Sequence, residues 1–167
     1  MSTPLSRCQA WVTDVVVGLD LCPWAAAPLS SGRVRWRSTD ATALEELVAE
    51  VLFEARVLAD AQHIDTSLLV LSSPGATPDF EDLLEVTDIA DAVLDDQGLA
   101  HAIQLVAFHP AFRYADACAT DPANGTNRSP APMVHLLRRA DIAALSVDGA
   151  ALAERNARVL REAAKES

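Results

Sequence analysis

The fold is decided by a short, wholly apolar run, SLLVLS at residues 67–72. A strand that is apolar at nearly every position is typical of the middle of a parallel sheet, where both faces are covered. Helical patterns lie on either side of it, at about 42–61 and 78–95, and further strand patterns lie at 33–38 and 101–108. Two successive strand–helix–strand units predict a parallel sheet with right-handed connections.

The other predicted elements complete this architecture. Apolar residues at helical spacing predict helices at 4–18, at 130–140 and at about 148–163. We therefore expect a single α/β domain over residues 1–167, with a small, mainly parallel sheet of three or more strands covered by helices on both faces. A chain of 167 residues is long enough to bury such a core.

Composition and charge argue against several functional classes. The chain has 24 acidic and 13 basic residues, and its net charge of −11 disfavours nonspecific binding to nucleic acid or to anionic membranes. It has no apolar run of the ~18 residues that a membrane span needs. The absence of a secretory leader pattern and three irregularly spaced cysteines predict reduced thiols in the cytoplasm. We expect no nucleic-acid or membrane partner, and the sequence leaves a homodimer open.

One long segment shows no periodicity. Residues 109–129 exceed the ~12–15 residues at which structureless loops become uncommon in compact domains. The segment leaves the carboxyl end of the third predicted strand, which is where open α/β sheets place their ligands. We interpret it as a functional loop at about 109–130.

Polar side chains that could bind a substrate are concentrated in and after this loop. The candidates are Asp121, Asn124, Asn127, Arg128, Ser129 and Arg138. Arg128 can clamp a carboxylate or phosphate, and a helix that begins at Ser129 would present free N–H groups to the same anion. In the alternative interpretation, the Asp and Asn side chains make turns that only shape the loop.

Three side chains are candidates for catalysis or for metal binding: Cys22, His109 and His135. His109 follows a predicted strand, which suits a general base or a metal ligand. Cys22 lies in a loop, where a thiol can act as nucleophile or ligand. His135 is expected on the outer side of its predicted helix, beside arginines that disfavour its protonation. Each has a structural alternative. His109 would be a histidine bonded to the backbone, Cys22 a small buried residue, and His135 part of an exposed polar face.

Several motifs occur together along the chain. They are GLDLCPW at 18–24, FHP at 108–110, DPANGTNRSPAP at 121–132 followed by HLLR at 135–138, and ERN at 154–156. Together they resemble a bacterial family known as a domain of unknown function, number 1415, over nearly the whole chain. The resemblance implies no reaction, but it implies that one set of positions belongs together: Cys22, Pro23, His109, Asn124, Asn127, Arg128, Ser129, His135 and Arg138.

Three hypotheses follow, the third being that the loop only orders a subunit interface at which His135, Arg138 and Arg139 contact a partner. The first is an enzyme that acts on a small anionic metabolite at the carboxyl edge of the sheet, with Cys22 and His109 close to Arg128. The second is a noncatalytic module that uses the same residues to bind a metal, a haem or a small ligand. A metal would be held by Cys22, His109 or His135. The first hypothesis requires that Cys22 and His109 lie on the same side of the sheet as Arg128.

Overall fold

The structure, a computed structural model, describes residues 2–166 and contains one four-stranded sheet with helices on both of its faces. The strands are β1 (Val34–Thr39), β2 (Thr66–Leu71), β3 (Ile103–Phe108) and β4 (Met133–Arg138). The helices are α1 (Pro4–Trp11), α2 (Ala26–Ser30), α3 (Leu44–Asp60), α4 (Phe80–Asp96), α5 (Arg139–Ala144) and α6 (Gly149–Glu166). Of the helices in the described part of the chain, none has the length and apolarity needed to cross a membrane.

The sheet is mixed, so the prediction of a mainly parallel sheet is wrong in this detail. The strand order is β1-β2-β4-β3. The first pair, β1 and β2, is parallel, as the helix between the two strands requires. However, β4 lies between β2 and β3 and runs antiparallel to both. The α/β class and the first three strands agree with the sequence patterns, while the fourth strand was not predicted.

The predicted helix at 130–140 is wrong, because its centre forms β4. Its apolar residues have helical spacing, but a central strand is also apolar at most positions, since both its faces are covered. Met133, Val134, Leu136 and Leu137 are all buried. The helix start predicted at Ser129 is therefore absent, together with the anion site that its free N–H groups would have formed.

Two helices cover one face of the sheet, and the N-terminal helix packs against the other. The core between the sheet and the helices α3 and α4 contains Leu69, Leu71, Ile103, Val134 and Leu136 from the strands. On the opposite face, Cys8 of α1 packs against Leu68, Val70 and Met133. Side chains alternate along each strand, so successive residues belong to the cores on opposite faces of the sheet.

Local sequence signals determine where these helices begin. Pro4 occupies the first turn of α1, where the Thr3 hydroxyl accepts a hydrogen bond from the Ser6 N–H at 3.1 Å. The chain continues beyond α1 as a π-helical turn, Val12–Val17. At α4, the side chains of Asp79 and Asp82 form a reciprocal capping box.

A buried carboxylate connects α3 to the edge strand β1. Glu54 is fully buried and accepts hydrogen bonds from Arg35 at 2.7 and 3.1 Å and from the Ser67 hydroxyl at 2.7 Å. Arg37 adds a second guanidinium at 3.3 Å. These donors compensate the desolvation of the carboxylate, and the hydrogen bonds that Arg35 donates to Glu54 raise the pKa of Arg35.

Arg138 connects β4 to the end of α3. Its guanidinium donates hydrogen bonds to the backbone carbonyl oxygens of Leu58, in the last turn of α3, and of Ala61 and Ile64 in the segment that follows the helix. The planar, five-donor geometry of arginine is suited to bridging several carbonyls at once. The hydrogen bonds of the Arg138 side chain within residues 2–166 all go to backbone carbonyls, so they do not support its predicted substrate-binding role.

We expect Arg138→Met to lower the free energy of unfolding by about 3 kcal/mol, because three carbonyl oxygens lose a charged donor. The neighbouring Arg139→Met is the matched control, since within residues 2–166 the exposed side chain of Arg139 donates one hydrogen bond, to the carbonyl of Ala100, and its loss should cost below about 1 kcal/mol. Urea unfolding followed by circular dichroism measures both values. Equal losses in the two variants would contradict this account of Arg138.

Candidate functional site

A cavity of about 190 Å³ lies between the sheet and the N-terminal segment, on the face opposite α3 and α4. Its floor is formed by strand residues, namely Val34, Thr66, Leu68, Val106, Phe108, His135 and Leu137. Its walls come mainly from the N-terminal segment, including Trp11, Val12, Val16, Leu21, Cys22, Trp24, Ala25, Pro28 and Leu29. Within the described chain, the side chains that line the cavity include no Asp, Glu, Lys or Arg.

The register of the sheet determines which side chains reach this floor. His135 of β4 pairs with Leu68 of β2 on one side and with Val106 of β3 on the other. Side chains of directly paired residues point to the same face. The cavity therefore lies over this face of the sheet, and it extends from Val34 and Thr66 at the amino ends of β1 and β2 to Phe108 at the carboxyl end of β3.

His135 is hydrogen-bonded to Thr66 at the bottom of the cavity. Nε2 of His135 lies 2.8 Å from Oγ1 of Thr66, and this hydroxyl lies 2.7 Å from the carbonyl oxygen of Leu136. A carbonyl oxygen can only accept, so the single hydroxyl proton of Thr66 goes to Leu136. Thr66 must then accept from His135, and this assigns the proton of the neutral imidazole to Nε2.

The other ring nitrogen of His135 consequently carries a free lone pair. Nδ1 makes no hydrogen bond within residues 2–166. Every fully buried side-chain nitrogen or oxygen in this part of the chain is hydrogen-bonded, so Nδ1 is accessible rather than sealed off. Because the ring lines the cavity, Nδ1 is a hydrogen-bond acceptor at its floor.

The imidazole of His135 is neutral over a wide pH range. Burial away from bulk water lowers the pKa of His135 from 6.5 to about 4, because the charged form is poorly solvated at this position. The expectation of a neutral His135 agrees with this result, but the cause differs. His135 lies on a buried strand and not beside arginines on an exposed helical face.

The wall that carries Cys22 is held in place by the C-terminal helix. Asp20 adopts the left-handed backbone conformation (φ 53°), which Asp and Asn tolerate better than most residues. Arg155 donates to both the backbone and the carboxylate oxygen of Asp20, at 2.6 and 3.1 Å. The buried Asn156 donates to the carbonyl of Leu21 at 2.7 Å. The ERN motif at 154–156 therefore positions the segment that leads to Cys22.

Asn127 also lines the cavity, next to Thr126 at the end of the short 3₁₀ helix Pro122–Thr126. The amide Nδ2 of Asn127 donates to the carbonyl of Ala107 at 3.3 Å, which attaches the loop to β3. The structure thus brings together three of the predicted site residues, Cys22, Asn127 and His135.

His109 is not among the residues that line the cavity. The N–H of Ala111 donates to Nδ1 of His109 at 3.0 Å, so Nε2 carries the proton and donates to the carbonyl of Pro78 at 3.1 Å. Its ring packs against Phe80, with centroids 5.7 Å apart. Both ring nitrogens are engaged by the backbone, and this matches the structural alternative for His109.

The remaining polar residues of the loop bind the loop itself. Arg128 donates to the carbonyls of Phe112 and Ala119, at 2.8 and 2.7 Å. Asn124 is fully buried, and its amide bonds the N–H of Tyr114 and the carbonyl of Cys118. These contacts leave neither the Arg128 guanidinium nor the Asn124 amide directed at a ligand in the structure.

Asp121 and Ser129 have similar structural contacts. Asp121 accepts from the N–H of Ala123 at 2.9 Å and pairs with Arg161 of α6 at 2.9 Å, and this hydrogen bond from Arg161 lowers the pKa of the carboxyl group. The Ser129 hydroxyl donates to the carbonyl of Ala131 at 2.6 Å. The turn-forming interpretation of the loop therefore describes these side chains best, and their proposed substrate contacts stay predictions.

The three candidate metal ligands do not form one cluster. In residues 2–166, no group of three His, Cys, Asp or Glu side chains is arranged to hold a metal ion. Cys22 and His135 share the cavity, whereas His109 is bonded to Pro78 and Ala111 outside it.

Sequence reasoning missed Thr66, whose hydroxyl determines the tautomer of His135, and the aromatic residues Trp11 and Phe108 of the cavity. Thr66 could be identified only from the register of β4, which was predicted as a helix. The ERN motif at 154–156 is visible in the sequence, but its contact with the 20–22 segment is visible only in the three-dimensional structure.

These observations define a small α/β protein with a largely apolar cavity over one face of a mixed sheet. The family model described as "Protein of unknown function (DUF1415)" matches residues 4–167, and the chain belongs to this family. No curated protein and no solved structure matches the chain.

We expect protonation of His135 to make the fold sensitive to acid. Its pKa is 6.5 in the unfolded chain and about 4 in the folded protein, so between these values the unfolded chain binds a proton that the folded protein does not. Stability from this source is complete above pH 6.5, and about 3 kcal/mol is lost as the pH falls to 4.

The comparison uses His135→Phe and His135→Gln, which cannot titrate. Urea unfolding between pH 7 and pH 4 should show the wild type losing about 3 kcal/mol relative to both variants. A difference that stays constant over this range would show that the pKa of His135 is not lowered by folding.

Proposed function

We propose that this protein binds a small, predominantly apolar organic molecule in the cavity between the sheet and its N-terminal segment. The single observation that carries this proposal is the cavity itself, whose largely apolar lining includes a few polar residues, among them Cys22, Asn127 and His135. Concave apolar sites with a small number of placed polar groups are characteristic of small-molecule binding.

The charges support an uncharged molecule rather than the anionic metabolite expected from the sequence. The cavity lining in the described chain contains no basic side chain to neutralise an anion. Arg128 and Arg138 bond backbone carbonyls instead. Transfer of an isolated carboxylate or phosphate from water into such surroundings is strongly unfavourable.

The dimensions support a ligand with a single ring or a small fused ring. An engineered apolar cavity of about 150 Å³ in another protein binds benzene. The cavity of about 190 Å³ is slightly larger. Two of its walls are the indole rings of Trp11 and Trp24, so occupancy should change tryptophan fluorescence.

An enzyme is the second candidate, on the observation that Cys22 and His135 line the same cavity. A thiol and an imidazole are the usual components of nucleophilic catalysis. However, an imidazole whose pKa is about 4 is a weak base at neutral pH. This property favours a hydrogen-bonding role for His135 over proton abstraction, and therefore favours binding as the principal function.

Toluene is the probe for the proposed function, because it is apolar and fits the size of the cavity. We expect it to change the tryptophan fluorescence of the wild type saturably and to raise the unfolding temperature. Ala25→Phe directs a ring into the cavity and should abolish both effects.

Ala27→Phe is the matched control. Ala27 belongs to the same short helix as Pro28, but it is exposed and does not line the cavity, so this variant should bind toluene like the wild type. Unsaturable fluorescence changes, or equal binding by Ala25→Phe, would contradict a ligand site in this cavity.

A further inference from the structure

We propose that the cavity selects an uncharged aromatic molecule with one hydroxyl or N–H donor, of the chemical class of phenol, and that this donor bonds Nδ1 of His135. The inference rests on the proposed function and adds the chemistry that the site recognises. Under it, His135 is the residue that determines specificity.

Nδ1 of His135 is an acceptor with a fixed role at the cavity floor. It has a lone pair because Nε2 keeps the proton and donates it to Thr66. Nδ1 makes no hydrogen bond within residues 2–166, and every fully buried side-chain polar atom there is bonded, so Nδ1 is accessible. A ligand that bonds this nitrogen must supply a donor, and a hydroxyl can also accept from the donor groups of Cys22, Trp11 or Trp24 in the walls.

The tautomer of His135 cannot easily reverse. Moving the proton to Nδ1 would leave Nε2 and Oγ1 of Thr66 facing each other without a hydrogen, at 2.8 Å, because the Thr66 proton is used by Leu136. Adding a second proton to the ring is opposed by its burial, which lowers its pKa to about 4. The floor of the cavity therefore stays an acceptor at neutral pH.

The charge of the lining disfavours an ionic ligand. A carboxylate would place an acceptor against Nδ1 of His135 and find no cation in the lining of the described chain. An ammonium group would supply donors, but no carboxylate in that lining would balance it. A neutral hydroxyl or aromatic N–H supplies a donor without the cost of burying a charge.

Aromatic rings of the cavity lining contact one another. Phe108 lies edge-to-face against Trp11, with centroids 5.5 Å apart, and its ring lies 5.8 Å from that of His135. Trp24 forms a further part of the wall. Aromatic rings arranged in this way favour an aromatic partner, since edge-to-face and offset contacts add to the gain from apolar burial.

The experiment compares phenol, toluene and benzoate at pH 7 by tryptophan fluorescence. Phenol and toluene have nearly the same shape, so the ratio of their dissociation constants isolates the hydroxyl group. The ratio is measured in the wild type, in His135→Phe, which removes the acceptor, and in His135→Gln, whose amide can bond Thr66 through nitrogen and present an oxygen to the ligand.

We expect the preference for phenol over toluene to be about five- to tenfold larger in the wild type than in His135→Phe, which is the contribution of one neutral hydrogen bond. His135→Gln should recover part of this preference. Benzoate should bind at least about tenfold more weakly than phenol, because its charge is not compensated.

The outcomes separate this inference from the proposed function. If toluene and phenol both bind but the preference is the same in His135→Phe, the inference is overturned and the binding cavity stands. If neither binds the wild type, the proposed function fails. Benzoate binding tighter than phenol would overturn the inference and favour an anionic ligand.

A measurement on the wild type alone covers the case in which His135→Phe does not fold. Addition of phenol should shift the ¹⁵N resonance of the unprotonated ring nitrogen of His135, because that nitrogen gains a hydrogen bond. Addition of toluene should leave it nearly unchanged. Equal shifts with the two probes would overturn the inference.

Discussion

The insertion of β4 between β2 and β3 is the constraint on which the rest of the structure depends. Without it, the facing edges of β2 and β3 would expose unpaired backbone groups in the centre of the sheet. To fill the gap in the antiparallel sense, the chain must reverse direction after β3 and return through the segment 109–132. The polar side chains of Asn124, Arg128 and Ser129 hold this return path by bonding its backbone. Their concentration in one loop is thus explained by topology.

The same insertion creates the cavity and its polar floor. It brings His135 between Leu68 and Val106 and within hydrogen-bond distance of Thr66, which lies 69 residues earlier in the chain. The N-terminal segment covers this floor, and α6 holds the segment through Asn156. The pairing of β4 with β2 and β3 therefore places His135 where the proposed ligand would bind.

The sequence predicts the elements whose apolar residues have one clear spacing. It does not separate helix from strand where the spacing of the apolar residues fits both. The strands near 67–72 and 101–108 and the two acidic helices were predicted because their apolar spacing has one interpretation. The MVHLLR segment of β4 is apolar on both faces, so its spacing fits a helix as well as a buried strand. That error placed His135 on the outer side of a helix rather than on the strand that forms the cavity floor. The sequence predicts Cys22, Asn127 and His135 as candidate site residues. That they line one cavity depends on a strand register that a single sequence does not reveal.

The protonation state of His135 tests the central claim most directly. Long-range ¹H–¹⁵N correlation spectra report which ring nitrogen carries a proton, and His135→Phe identifies the signals of this residue. The account predicts a neutral ring at pH 7 with the proton on Nε2, the nitrogen that faces Thr66, and no protonation of Nδ1 until the pH falls to about 4. A proton on Nδ1 at pH 7, or titration at the ordinary value near 6.5, would contradict it.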